Sequence, residues 1–202
     1  MRLTILAATG PTGLALTRQA LDRGHTVTAV ARTPDPLPRS SLLTAVAADV
    51  FDTEAITAAL DGSEILLSGL GVPKGQKPGV LAAGARAAVA SGARVIWLGA
   101  YGTGPSAAVA SVLNRLVLKG LGAEIADKEA SDATVLAAGG TVFHAGPLSR
   151  QPLSPARRAV GLDTSPKSLL RLRVSRETVA AAMLDEAEHP RFAGRVAVPL
   201  MR

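Results

Sequence analysis

The stretch Leu3-Thr4-Ile5-Leu6-Ala7-Ala8-Thr9-Gly10-Pro11-Thr12-Gly13 decides the fold. Its first half, Leu3 to Ala8, is a short apolar run of the kind that forms a buried strand. Its second half is a loop of small residues. A helically spaced segment follows from Thr12 to Arg23, with Leu14, Leu16, Ala20 and Leu21 apolar and Gly24 as its stop. A strand that turns through glycines directly into a helix is the arrangement that binds a dinucleotide. Gly10 lets the backbone approach a pyrophosphate, and Gly13 lets the helix pack close to the strand. Pro11 and Thr12 complete the loop, and the helix N-terminus offers unpaired N–H groups and the positive end of its dipole. The alternative is an ordinary tight strand-to-helix turn. The position of this loop at the head of a strand–helix alternation favours the binding loop.

Outward from the loop the alternation continues. Strands are expected at His25 to Ala31, Leu42 to Ala47, Glu64 to Leu70, Arg94 to Leu98, Thr141 to Ala145 and Gly194 to Leu200. Helices are expected from Asp52 or Thr53 to Leu60, Val80 to Ala90, Ala107 to Leu121, Ile125 to Ala138 and Arg176 to Glu188. The prolines between Thr33 and Ser41 and the Gly/Pro/Lys run from Gly71 to Gly79 mark loops, and Gly146 to Lys167 reads as irregular. Short links between alternating elements imply a Rossmann-type α/β fold: a doubly wound parallel sheet with helices on both faces, in one domain over residues 1–202. The substrate pocket is expected from segments around 100–125 and 145–175.

The end of the second strand selects between dinucleotides. An acidic side chain there accepts from the ribose hydroxyls and favours NAD, whereas an arginine pairs with a 2′-phosphate and favours NADP. Here the strand runs into Arg32-Thr33, and no Asp or Glu stands between Gly24 and Pro34. Arg32 therefore reads a phosphate, unless it is a solvated strand-end charge. Asp49-Val50, after the third strand, falls beside the adenine, where the carboxylate can accept from the exocyclic amine and the valine can cover the ring. A helix cap is the other use of Asp49. Gly69, Leu70 and Gly71 leave the fourth strand at the carboxyl edge of the sheet, where ligands of open α/β folds bind. Gly99 occupies the same edge on the fifth strand.

Composition excludes several other classes. The aromatic set is Trp97, Tyr101, Phe51, Phe143 and Phe192, too few to stack the bases of an RNA or single strand. The formal charge of +6 is scattered along the chain, with no basic arm, so nucleic acid is not an expected partner. A basic balance still suits anionic ligands such as nucleotides. Absence of cysteine removes disulfides, thiol nucleophiles and Cys-based metal sites, and His25, His144 and His189 lack ligand spacing. The N-terminal apolar run is shorter than a signal-peptide core, and Ala107 to Leu121 is shorter than the roughly 20 residues of a bilayer span and contains Asn114, Arg115 and Lys119. A cytoplasmic protein without a membrane partner is expected.

Taken together these residues resemble the atypical short-chain dehydrogenase/reductases, in their NmrA-like and flavin reductase (biliverdin-IXβ reductase type) branch. Ala7 to Gly13 is similar to that branch's G-A-T-G-x-T-G, with Ala7 in place of the first glycine. Arg32 resembles its arginine after strand two, and Asp49-Val50 its G-D-V. Ala126-Asp127-Lys128-Glu129 resembles its D-K-E, and Val135 to Gly139 its L-x-x-S-G. Gln151-Pro152-Leu153, Val174 to Ala180 and Phe192-Ala193-Gly194-Arg195 resemble segments near its C-terminus. The chain departs from the branch after strand six, where His144-Ala145 stands in place of Arg-Pro. The resemblance implies NADP(H) as cofactor and hydride transfer to a flavin, quinone or other planar conjugated acceptor. It equally allows an NmrA-like redox sensor that binds NADP(H) without turnover.

Hydride transfer is often helped by a proton donor near the developing charge. The family's usual Ser and Tyr-x-x-x-Lys are absent: Gly99 stands where Ser is common, and Pro105 stands four residues after Tyr101. Tyr101 and Lys128 form a candidate split catalytic pair, with a packing ring and a surface charge as the alternative. His144, at the end of strand six, is a candidate substrate contact or else a packing histidine. The apolar Ala107–Leu121 helix could serve as a partner surface, a homodimer included.

Overall fold

The computed structural model describes residues 1–72, 79–109, 122–167 and 172–201. Ten strands and five α-helices follow in chain order among these residues. They are β1 (Arg2–Leu6), α1 (Pro11–Asp22), β2 (Thr26–Ala31), β3 (Leu43–Ala47), α2 (Thr53–Ala58), β4 (Ile65–Ser68), α3 (Val80–Ala90) and β5 (Arg94–Ala100). Then come α4 (Gly122–Ala137), β6 (Thr141–Ala145), β7 (Leu148–Ser149), β8 (Arg158–Gly161), β9 (Val174–Ser175), α5 (Arg176–Glu188) and β10 (Val196–Leu200).

Eight strands form one sheet in the order β3-β2-β1-β4-β5-β6-β10-β8. The reversal of direction on either side of β1 is the mark of the doubly wound fold, and it opens a crevice at the carboxyl ends of β1 and β4. Every pair in the sheet is parallel except β10 with β8. That antiparallel edge corrects the expectation of an irregular Gly146–Lys167 segment. Arg158–Gly161 is too short to show a period in sequence, and only its partner Ala197–Leu200 makes it a strand. Within the same segment β7 pairs with β9 in a separate two-stranded ribbon.

Alternation along the strands splits the core into two layers. Leu3, Ile5, Leu67, Ile96 and Phe143 face α1 and α5, where Leu16, Ala20, Val179 and Met183 meet them. Leu6, Leu66, Trp97 and Val142 face the other way, onto Ile56, Leu81, Ala85 and Val135 of α2, α3 and α4. Trp97 and Phe143 are fully enclosed. Close packing of α3 on its neighbours uses small residues: a Cβ at Gly84 would lie 2.6 Å from Leu70 Cδ2. The helix expected from Ala107 to Leu121 lies mostly outside the described residues; a 3₁₀ turn covers Gly104–Ala107.

Polar clamps fix the layers. Asp127 of α4 accepts from the N–H groups of Leu81 and Ala82 (3.1 and 2.9 Å), capping the start of α3 across the interface. On the opposite layer, Glu188 at the end of α5 accepts from Arg23 at 2.8 Å and meets His25 Nε2 at 2.8 Å. Burial pushes the Glu188 carboxyl up, but the hydrogen bonds from His25 and Arg23 outweigh it and hold it below its ordinary value of 4.5. A depressed folded-state value means that the carboxylate stabilises the fold above the unfolded value and that this contribution fades as pH falls. Glu188→Gln should therefore lower unfolding free energy at neutral pH. The gap between variant and wild type should close as pH drops through and below 4.5, measured by urea denaturation at a series of pH values.

Candidate dinucleotide-binding site

A cavity of about 660 Å³ opens over the carboxyl ends of β1, β2 and β4. Its lining includes the expected Gly10, Pro11, Thr12, Arg32, Asp49, Val50, Gly69, Leu70 and Gly71. Its size suits a nucleotide-scale ligand.

The floor is the β1–α1 turn. Gly13 does not line the cavity, but it makes the turn: a Cβ there would stand 2.1 Å from the carbonyl oxygen of Ala7. Gly69 presses on the same point, since a Cβ on it would lie 2.9 Å from the Gly13 nitrogen. Gly10 caps α1 with no side-chain hydrogen bond, Pro11 has no N–H, and the first turn carries no acid. The early N–H groups of α1 are thus left for an anion from outside, which is the arrangement that holds a pyrophosphate. Ala7, in the first-glycine position, keeps the left-handed backbone at φ 58°. The turn forms with alanine at this position, and the methyl group carries the strain.

The end of the cavity beside β2 and β3 is built from strand ends. Arg32 is exposed at the rim, straight after β2. One oxygen of Asp49 accepts from Phe51 N–H at 3.1 Å, which fixes the carboxylate and leaves its other oxygen for a ligand. Phe51, 66% exposed, lies on the cavity wall beside Val50. Sequence reading passed it over, because an exposed ring in a short loop carries no periodicity. Leu98, Leu148 and Arg176 close the opposite end. They come from β5, β7 and the start of α5, and only the fold brings them beside the glycine loop.

The expected chemical residues are placed differently. Gly99 does not line the cavity. A Cβ on it would meet Asp132 Oδ1, His144 Cδ2 and Val142 Cγ1, each at 2.9 Å. A larger residue at this position would require Asp132, His144 or Val142 to shift. His144, expected as a substrate contact, is fully buried. Its Nδ1 lies 2.6 Å from Ser106 Oγ and its Nε2 3.0 Å from Asp132 Oδ2. Ser106 and Asp132 are enclosed too, and Ser106 Oγ also accepts from Gly102 N–H and donates to the Thr103 carbonyl. This Ser–His–Asp set has the composition of a hydrolytic triad but no access for a substrate. It staples the loop after β5 to β6 and α4.

Tyr101 and Lys128 share no hydrogen bond among the described residues. The Tyr101 ring is 3% exposed and packs with Leu172, Val198 and Leu200. Its hydroxyl donates to the Pro166 carbonyl at 3.2 Å. Lys128 is half-buried and makes no hydrogen bond or ion pair through its side chain among the described residues. The neighbours of Lys128 are structural, Asp127 as the α3 cap and Glu129 as acceptor for Gly104 N–H at 3.0 Å. The packing-ring alternative describes Tyr101 in this arrangement.

Sheet order, uncapped helix and glycine turn define a Rossmann dinucleotide-binding protein. The chain belongs to the NAD(P)H-binding family, whose model matches residues 7–190. No curated protein matches the sequence. Among solved structures it is similar to a protein from Burkholderia pseudomallei, at 26% identity over 99% of both chains with TM-score 0.73. It also shares its fold with ChuY, an anaerobilin reductase from Escherichia coli O157:H7, at 17% identity over 100% of this chain and 97% of that one, TM-score 0.78. A short-chain dehydrogenase/reductase from Veillonella parvula in complex with NADP is a third, at 17% identity over 97% and 92% of the chains, TM-score 0.77.

Two outcomes follow from this geometry. Ala7→Gly should relieve the left-handed strain and raise stability by about 0.5–1 kcal/mol. A scanning calorimeter would show this as a rise in Tm of roughly 1–4 °C. Tyr101→Phe should cost about 1 kcal/mol in unfolding free energy and leave dinucleotide affinity unchanged, because the ring lies outside the cavity.

Proposed function

We propose that the protein is an NADPH-dependent reductase that delivers hydride to a flavin, quinone or other planar conjugated acceptor. The observation that carries this reading is one continuous cavity joining Arg32, the glycine loop and the apolar Leu98–Leu148 end. Arg32 would hold the 2′-phosphate, Asp49 the adenine amine, and the α1 N–H groups the pyrophosphate. Val50 and Phe51 would cover the adenine ring, and Gly69, Leu70 and Gly71 would line the path between the ends. The family membership supports the dinucleotide; the likeness to reductases supports the fold that would present it.

Bound NADPH supplies a hydride from its nicotinamide ring. The chain's own part would be positioning. Leu98 and Leu148 offer apolar walls that exclude water from the reacting end, and Gly71 adds no side chain to block a flat ring. The substrate pocket would lie over this end, built from the residues that follow β5 and from the segment between β6 and α5. No side chain among the described residues is poised as a proton donor there. Proximity would supply most of the acceleration, and the proton would come from solvent.

A second reading has its own support. The engaged Tyr101 hydroxyl and the enclosed His144 also suit an NmrA-like sensor that binds NADP(H) without turnover. Titration with NADPH and NADH, followed by addition of FMN or a quinone while the nicotinamide band is watched, separates the two. The reductase reading expects acceptor-dependent oxidation of NADPH, and tight binding with no oxidation by any acceptor would sink it. Arg32→Ala should weaken NADPH by about tenfold and leave NADH unchanged; an equal loss for both would refute the 2′-phosphate role.

A further inference from the structure

Among the described residues, two cationic side chains line the cavity, and the 2′-phosphate reading uses only Arg32. The other, Arg176, lies at the opposite end. Arg32 follows β2, on one side of β1 in the sheet. Arg176 reaches the cavity in company with Leu98 of β5, on the other side of β1, and Leu148 of β7.

The surroundings of Arg176 leave its charge unanswered. Its Nη1 donates to the Ser149 carbonyl at 3.3 Å, which ties the side chain to the β7–β9 ribbon. A guanidinium has five donors in a fixed fork, and Arg176 lines the cavity with this one hydrogen bond among the described residues. No carboxylate pairs with it among the described residues. The adjacent acid, Glu177, is turned away and accepts from Gln19 Nε2 at 2.6 Å and from Arg18. Arg176 is also the first residue of α5, directly after the capping Ser175. A cation there is opposed by the helix dipole, at a cost of about 0.3–1 kcal/mol. Half-burial, the wrong helix end and the lack of a paired carboxylate among the described residues are together unfavourable for a cation. They become favourable when an anion enters the cavity.

The glycine loop itself carries no charged side chain, and α1 offers a pyrophosphate backbone N–H groups and the Thr12 hydroxyl but no cation. We propose that Arg176 is a cofactor-binding residue whose guanidinium holds the phosphate on the nicotinamide side of the pyrophosphate. Arg32 then reads the 2′-phosphate at one end, and Arg176 clamps the group common to both dinucleotides at the other. The proposal rests on the dinucleotide lying along this cavity, and it does not depend on turnover.

Isothermal titration of Arg176→Ala and Arg176→Lys with NADPH, NADH and adenosine 2′,5′-bisphosphate tests it. Arg176→Ala should weaken NADPH and NADH alike, by about tenfold. The lysine variant should recover part of the loss, since it keeps the charge and loses the fork. Adenosine 2′,5′-bisphosphate lacks the nicotinamide-side phosphate and should bind Arg176→Ala as it binds wild type. Unchanged affinity for both dinucleotides would overturn the proposal. If that result came with a raised KM for an anionic acceptor, the phosphate role would be overturned in favour of an acceptor contact. Equal weakening of all three ligands would also overturn it, as a general loss of the site. Failure of the reductase reading looks different: wild type would bind both dinucleotides and oxidise neither with any acceptor.

Discussion

The contact on which the structure depends is the one between the start of α1 and the end of β1. With no Cβ at Gly13, the helix sits against the Ala7 carbonyl, and Gly69 closes onto the same spot from β4. A methyl group at either glycine would push the helix off the sheet. The core layer of Leu16 and Ala20 against Ile5 and Val27 would then lose its packing. The same contact leaves the α1 N–H groups pointing into the cavity. Stability of the fold and capacity for an anion thus come from one close approach.

A second dependency links the loop after β5 to the interior. Gly99 is bare because His144 and Asp132 fill the space its side chain would need. His144 in turn holds Ser106, and Ser106 fixes the Gly102–Thr103 backbone. His144 therefore acts on a loop two strands' width from the glycine loop. The polar groups of this set are spent on rigidity. Buried polar networks of this kind specify one arrangement when their members are satisfied. Asp132 Oδ1 is the one oxygen of the set left without a partner among the described residues.

Much of this architecture is readable along the chain, because parallel strands buried on both faces give apolar runs and amphipathic helices give a clear period. Val80–Ala90 falls where the spacing puts it, and Arg176–Glu188 keeps the bounds read from the sequence although it is buried on nearly every side. Arg32 and the Asp49-Val50 pair are legible for a different reason: the fold places strand ends at fixed distances from the glycine loop. The choice between contact and packing at Gly99 and His144 is not legible along the chain, because a strand-end position does not reveal which way the side chain points. Nor is it legible for Tyr101, because a hydroxyl's partner can be any backbone carbonyl, here one from Pro166.

The sequence by itself determined the Rossmann class, the glycine turn and the strand-end residues Arg32, Asp49 and Val50 that line the cavity, since each is a local pattern of period, size and charge. Tertiary structure alone decided the far end. Leu148 and Arg176 lie well over a hundred residues from Gly10, and no local pattern marks them as neighbours of the loop. Only winding the sheet in both directions from β1 brings the start of α5 over the crevice. Only the packed structure shows that Glu177 has turned to Arg18 and Gln19, so that the charge beside it faces the cavity without a carboxylate of its own.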